Sequence, residues 1–219
     1  MDKMNQLKDL LKHEINDLYS AEEQIIEALP AMIEKAKDRK LKKALQDHLN
    51  VTETQKQRLD DLMPMLDEDP PRKGFLSGLF GSKKCKGMQG LITEGEKVMG
   101  EEMDSDVMDA AIVGCAQKIE HYEICGYGTA RAYAEELGLN EVEKALKMTL
   151  DEEYEADDLL TVLAVGRLNK EATPRRRKAA NRSNSSRNGK LRGAKAASGL
   201  RKAQTNGTNR SSRKKSTTR

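Results

Sequence analysis

Four long stretches of this sequence place apolar residues three and four positions apart, and that spacing constrains the fold more than any other feature. The first runs Leu7, Leu11, Ile15, Leu18, Ile25, Leu29, Met32. Such steps keep side chains on one face of an α-helix. Pro30 falls inside the run and should bend the helix or loosen its last two turns. Asp38 can cap a second helix, whose face is Leu41, Leu45, His48, Thr52, Leu59 and Leu62. Pro64 and Asp69-Pro70-Pro71 are expected to close it. A Gly-rich apolar loop, Lys73 to Gly81, then carries Phe75 and Phe80 and is expected to cover one end of the molecule. A short helix follows at about Cys85–Glu102, with Met88, Leu91, Ile92 and Val98 turned inward. The spacing predicts a third long helix from Ser105 to Leu137, stopped by Gly138. Asn140 starts the fourth, with Val142, Leu146, Leu150, Glu153, Leu160 and Leu163.

The pattern is two helical hairpins joined by a long connection that holds a short helix. At ~1.5 Å per residue, helices of roughly 26–30 residues are about 40 Å long. That suits an all-α, ferritin-like four-helix bundle with one long crossover. Composition agrees: aromatics make up 3% of the chain and Trp is absent, too little for a typical β-sandwich. No apolar run approaches the ~20 residues that would span a bilayer, and the start lacks the apolar segment of a signal peptide. Cys85, Cys115 and Cys125 form no C-x-x-C pair, so neither a disulfide framework nor a cysteine zinc site is expected. They are read as packing residues in a reducing cytoplasm.

The formal charge of +3 averages two different pieces. Residues 170–219 hold 17 Lys/Arg against the single acid Glu171, net +16. That leaves residues 1–169 with 22 basic and 35 acidic residues, net −13. The tail offers only Leu191 and Leu200 as sizeable apolar side chains, too few to offset the entropy of ordering it. The expected organisation is a helical bundle over 1–169 and a disordered Lys/Arg-rich tail over 170–219.

Most helical carboxylates are solvated, so the informative ones are those that interrupt an apolar stripe. Glu22 falls between Leu18 and Ile25. Glu120 and Glu123 lie three apart between Ile119 and Ile124, and Glu153 lies between Leu146 and Leu160, with Asp157 one turn beyond. Burying like charges is costly unless something positive sits between them. Glu123 and Glu153 are equidistant from the predicted turn at Gly138, and Glu120 and Asp157 nearly so. In the first hairpin Glu22 comes opposite Thr52 and Glu53, with His48 one turn away. A metal site built from Glu22, His48, Glu120, Glu123, Glu153 and Asp157 is one reading; a polar layer without metal is the other. Carboxylates with an imidazole suit iron or manganese better than copper or structural zinc. Tyr127, one turn from Glu123, either packs with its hydroxyl satisfied or donates to a ligating carboxylate. His121 is placed at a boundary between helices, and His13 and Glu14 at the surface.

These residues carry a resemblance. Asp17-Leu18-Tyr19-Ser20-Ala21-Glu22-Glu23-Gln24 resembles the first-helix motif of the YciF/YciE-type bacterial stress-protein family, within the ferritin-like superfamily. So does His48-Leu49 followed by Thr52 and Gln55. The most specific match is Ala116-Gln117-Lys118-Ile119-Glu120-His121-Tyr122-Glu123-Ile124, running on to Tyr127-Gly128-Thr129. Thr149-Leu150-Asp151-Glu152-Glu153 with Asp157 and Leu160 completes it, and Met88 with Gly90-Leu91-Ile92 resembles the crossover helix. The resemblance implies a dimeric ferritin-like bundle with a dinuclear metal site faced by Glu22, Glu120, Glu123 and Glu153. The second helix departs from the family pattern. Where relatives often read His-Leu-Glu-Glu-Thr, this chain has His48-Leu49-Asn50-Val51-Thr52, and neither the second nor the fourth helix carries Glu-x-x-His.

Two functions follow as expectations. The first is metal or oxidant handling at a pair of iron or manganese ions, which needs no separate acid, base or nucleophile. The second is association with DNA or RNA, with the bundle as a dimeric, non-catalytic scaffold. Arg175, Arg176, Arg177, Lys178, Arg182, Arg187, Lys190, Arg192, Arg201, Lys202, Arg213, Lys214 and Lys215 would contact phosphates. With no aromatic to stack on bases, the tail would bind without base preference. Folding back onto the acidic body is the competing role for the tail. An inert structural bundle is a third reading. No membrane partner is expected.

Overall fold

The computed structural model describes residues 4–66 and 84–174, and among them it is all-α. The loop expected at Lys73 to Gly81 and the tail cations from Arg175 onward lie outside the described residues. Helix α1 spans Leu7–Lys35 and α2 spans Arg39–Leu66. Helix α3, Lys86–Gly100, lies in the crossover. Helices α4, Ser105–Glu136, and α5, Asn140–Leu163, form the second hairpin. A π-helical turn, Ala164–Leu168, and a last helical turn, Asn169–Glu171, continue from α5. Within the hairpins α1 packs on α2 and α4 on α5; between them α1 meets α4 and α2 meets α5, while α3 lies across α1 and α4. No helix among the described residues is long and apolar enough to cross a membrane.

The apolar stripes become the core as the spacing predicts. Leu11, Ile15, Leu18, Ile25, Leu29 and Met32 of α1 are all buried. Both prolines lie within their helices, α1 running past Pro30 to Lys35 and α2 past Pro64 to Leu66. Pro30 is exposed, so the carbonyl that it leaves without a helical donor can turn to water. Gly138, at φ 68°, closes the second hairpin in the left-handed region, where a side chain would be strained. At Gly126 of α4 a Cβ would stand 2.7 Å from Leu18 Cδ2, so the bare backbone lets α4 come close to α1.

The turn between α1 and α2 is held from two distant parts of the chain. Asp38 caps α2 as expected, its Oδ1 accepting from the backbone N–H groups of Lys40 at 3.0 Å and Leu41 at 2.9 Å. Its other oxygen pairs with Arg167 of the π-helical turn. Asp109, buried in α4, accepts from the N–H of Lys37 at 2.7 Å and of Asp38 at 2.9 Å. Replacing Asp109 by Ala should cost about 2–4 kcal/mol, because two backbone donors lose their acceptor. A urea titration checks this, and an unchanged midpoint would show that the clamp contributes nothing.

Cys85 sits at the start of α3, with its thiol 3.1 Å from Asp17 Oδ2 and 3.0 Å from Tyr122 OH. All three cysteines are free. Cys85 and Cys115 are buried, whereas Cys125 is exposed rather than packed, since its position on α4 turns away from both neighbouring hairpin cores.

The core is two apolar clusters rather than one. One gathers Ile25, Leu29, Leu41, Leu45, Met88, Ile112 and Leu160; the other gathers Leu11, Ile15, Leu59, Leu62, Tyr127 and Leu146. On each of the four long helices the changeover from one cluster to the other falls at buried polar residues. These are Glu22 on α1, Thr52 and Gln55 on α2, Glu120 and Glu123 on α4, and Glu153 on α5.

Candidate metal centre

Each of the four long helices delivers a polar side chain to this waist because its apolar stripe is interrupted at the same height. Glu22, Glu120, Glu123 and Glu153 are at most 2% exposed. One donor atom each from His48, Glu120, Glu123 and Glu153 lies within 4.8 Å of the others. His48 Nε2 approaches Glu120 Oε1 at 3.4 Å without hydrogen-bond geometry.

The centre is supported from outside by hydrogen bonds. Tyr127 packs fully buried and its OH donates to Glu22 Oε1, so its hydroxyl is satisfied as the packing role expects. Gln55 Nε2 donates to Glu153 Oε1 and, at 3.2 Å, to Glu152 Oε2. Arg58 donates to both oxygens of Glu152, at 2.9 and 3.0 Å, and to Thr149 Oγ1. Glu152 is thereby engaged by a cation, while the inner carboxylates are not.

Among the described residues, six buried side-chain atoms have no hydrogen-bond partner: Glu22 Oε2, His48 Nε2, Gln55 Oε1, Glu120 Oε2, Glu123 Oε1 and Glu153 Oε2. An orphaned buried polar atom costs about 1–3 kcal/mol, so six together at one height form an arrangement built for something else. Burial and the neighbouring carboxylates push Glu22, Glu120 and Glu123 well above the ordinary carboxylate range. Burial raises Glu153 to about 7, against the pull of Gln55 and Arg58. Burial alone pushes His48 down to about 4. The pocket thus favours protonated carboxyls and a neutral imidazole, the state that a cation would reverse by taking the place of the protons. Three carboxylates and one imidazole within reach of one another form a group that could hold a metal ion, and their oxygen and nitrogen donors fit one.

Asp157 stands apart. Its Oδ1 accepts from Gln117 at 2.9 Å and its Oδ2 lies 3.4 Å from His121 Nε2, on the surface side of the α4–α5 seam. Glu22 adjoins the group of four, in reach of Glu123 and Glu153, without giving an atom to the tight cluster. Gln55 and Thr149 stand out in the sequence only as motif residues with no role assigned at the centre, and Arg58 does not stand out at all. The usable signal was that Gln55 follows His48 by two helical turns and so shares its face.

The description "Domain of unknown function (DUF892)" matches residues 6–173. Protein YciF of Escherichia coli K12 is 37% identical over 169 residues, which is 77% of this chain and 96% of that protein. Among solved structures, the E. coli stress protein YciF superposes with a TM-score of 0.66 at 37% identity, covering 76% of this chain and 99% of that one. YcfI from Rhodopseudomonas palustris gives 0.66 at 41% identity, covering 74% and 97%. A Xanthomonas campestris protein at 19% identity and a TM-score of 0.54, covering 77% and 100%, shares the fold. The resemblance read from the motifs is therefore met by chain-wide similarity.

Proposed function

This chain belongs to the DUF892 family, and from that premise we propose that it is a stress-response bundle whose waist holds up to two iron or manganese ions. The observation that carries the reading is the convergence of six partnerless buried polar atoms on one level of the bundle. His48, Glu120, Glu123 and Glu153 would hold the metal, with Glu22 and Gln55 adjoining. Bound there, iron or manganese would supply electron transfer toward dioxygen or peroxide, or turn over ferrous iron as substrate. The protein's own part is orientation and exclusion of water. Gln55 fixes Glu153, Tyr127 fixes Glu22, and Arg58 keeps Glu152 out of the centre. The apolar clusters above and below shut the layer off from solvent at both ends.

The test is elemental analysis after reconstitution of purified protein with ferrous or manganous ion. Stoichiometric metal is expected, and Glu123→Ala should lower its affinity at least about tenfold. Absence of stoichiometric metal in the parent overturns the reading. A Glu123→Ala protein that binds as the parent does removes Glu123 from the donor set.

A second activity is proposed on the charge split along the sequence. The tail, net +16 over residues 170–219, binds nucleic acid through phosphates, while the acidic body is the platform that carries it.

A further inference from the structure

A cavity of about 260 Å³ opens between α2 and α5 and ends on the centre. Of the four clustered donors only His48 and Glu120 line it, and both present a partnerless buried atom there. Ala44, Leu45, Val51, Ala156 and Leu160 form its walls, and Leu159, 47% exposed, stands at its mouth. Besides Glu120, three carboxylates lie along the lining: Glu155, Asp47, which is paired with Lys43, and Glu152, which is paired with Arg58.

We propose that this cavity is the port through which small uncharged molecules, of the class of dioxygen and hydrogen peroxide, reach the centre from solvent. The inference rests on the metal-site reading for its purpose, although its geometry does not depend on it. Size is the first argument, since the space exceeds the ~30 Å³ that one water occupies. Polarity is the second. An anion crossing the aliphatic walls would give up hydration that the carboxylate-lined rim cannot replace, whereas a neutral diatomic or peroxide gives up little. The carboxylates at the rim further repel anions. The third argument is the floor. A port that served only as a packing defect would end on aliphatic carbon, whereas this one ends on an imidazole nitrogen and a carboxylate oxygen that no described residue satisfies.

Diethyl pyrocarbonate is a small uncharged reagent that modifies imidazole, and it tests the port on full-length, metal-free protein. Peptide mass spectrometry follows each histidine separately. In the parent, His48 should be modified although its side chain is only 11% exposed. Leu159→Trp, a change at a half-exposed position, should plug the mouth and slow His48 at least about tenfold, because a close-packed interior offers no second path. His121, 68% exposed and outside the cavity, should react at the parent rate and so serves as the internal reference for the reagent, while circular dichroism reports that the fold is intact. Ala44→Leu narrows the opposite wall and serves as a second plug if the first variant does not fold. Failure of His48 to react in the parent while His121 is fully modified would overturn the port. So would an unchanged His48 rate in the plugged proteins. Because no metal is used, a protein that binds none would defeat the proposed function and leave this result standing.

Discussion

Raising the pH of metal-free protein from about 5 to about 8 will destabilise it, and loading with ferrous or manganous ion will cancel most of the loss. The direction follows from where the protons sit. An unfolded glutamate releases its proton near 4.5, whereas folded Glu153 holds it to about 7 and Glu22, Glu120 and Glu123 hold theirs well above the ordinary range. Between those limits the folded state binds protons that the unfolded state has released, so stability is complete below about 4.5 and is lost as pH rises through the folded values. Glu153 alone accounts for about 3 kcal/mol, on the order of 10 °C in Tm for a body of this size. His48 acts in the opposite sense. Pushed down to about 4, it adds stability as pH rises from about 4 to 6.5, offsetting one carboxyl's share of four. Metal replaces the protons and binds only the folded state, contributing about 4 kcal/mol at a thousandfold excess over Kd. Thermal melts by circular dichroism from pH 5 to 8, with chelator and with metal, measure this directly. A flat profile in chelator would mean that the waist carboxylates are not held as described.

Deleting residues 175–219 will abolish binding to duplex DNA and leave the thermal melt of the body unchanged. The deletion removes 16 Lys/Arg and no acid, taking the formal charge from +3 to −13. It spares the turn Asn169–Glu171 and the pair between Arg167 and Asp38. The intact chain should bind any duplex sequence about equally well, because cations without stacking aromatics read phosphates and not bases. If about six phosphates are neutralised, affinity should fall roughly a thousandfold between 50 and 200 mM salt. The acidic body competes for the tail, but closely spaced phosphates outbid scattered surface carboxylates at moderate salt. An anisotropy titration of both proteins settles it, and equal affinity, or none for either at low salt, removes the nucleic-acid reading.

What the sequence made legible is what periodicity encodes. Helix boundaries followed from the apolar stripes, Asp38 and Gly138. Glu22, Glu120, Glu123 and Glu153 stood out because each breaks a stripe, and burial of all four is the consequence. Side chains that support rather than interrupt were harder to see. Gln55 and Arg58 look like ordinary polar positions on α2 until the hairpins dock and place Glu153 and Glu152 beside them. Asp109 reads as an ordinary acid in the second turn of α4, and only the tertiary fold brings the turn at Lys37 and Asp38 to it. Asp157 shows the limit of counting from a turn. Distance from Gly138 gives its height but not its rotation about the α5 axis, which Gln117 and His121 draw to the surface side.

The division of the interior into two apolar clusters has a consequence for how the molecule opens. A bundle with one continuous core tends to unfold as a unit, because every helix is gripped along its length by the same packing. Here the grip is interrupted midway, and the two ends form separate cooperative units joined only by the helices that run through both. The donors that could join them come from all four long helices, through Glu22, His48, Glu120, Glu123 and Glu153. A cation held among them would fuse the halves into one unit, so that amide protons far from the centre, at either end of the bundle, would exchange more slowly whenever it is filled.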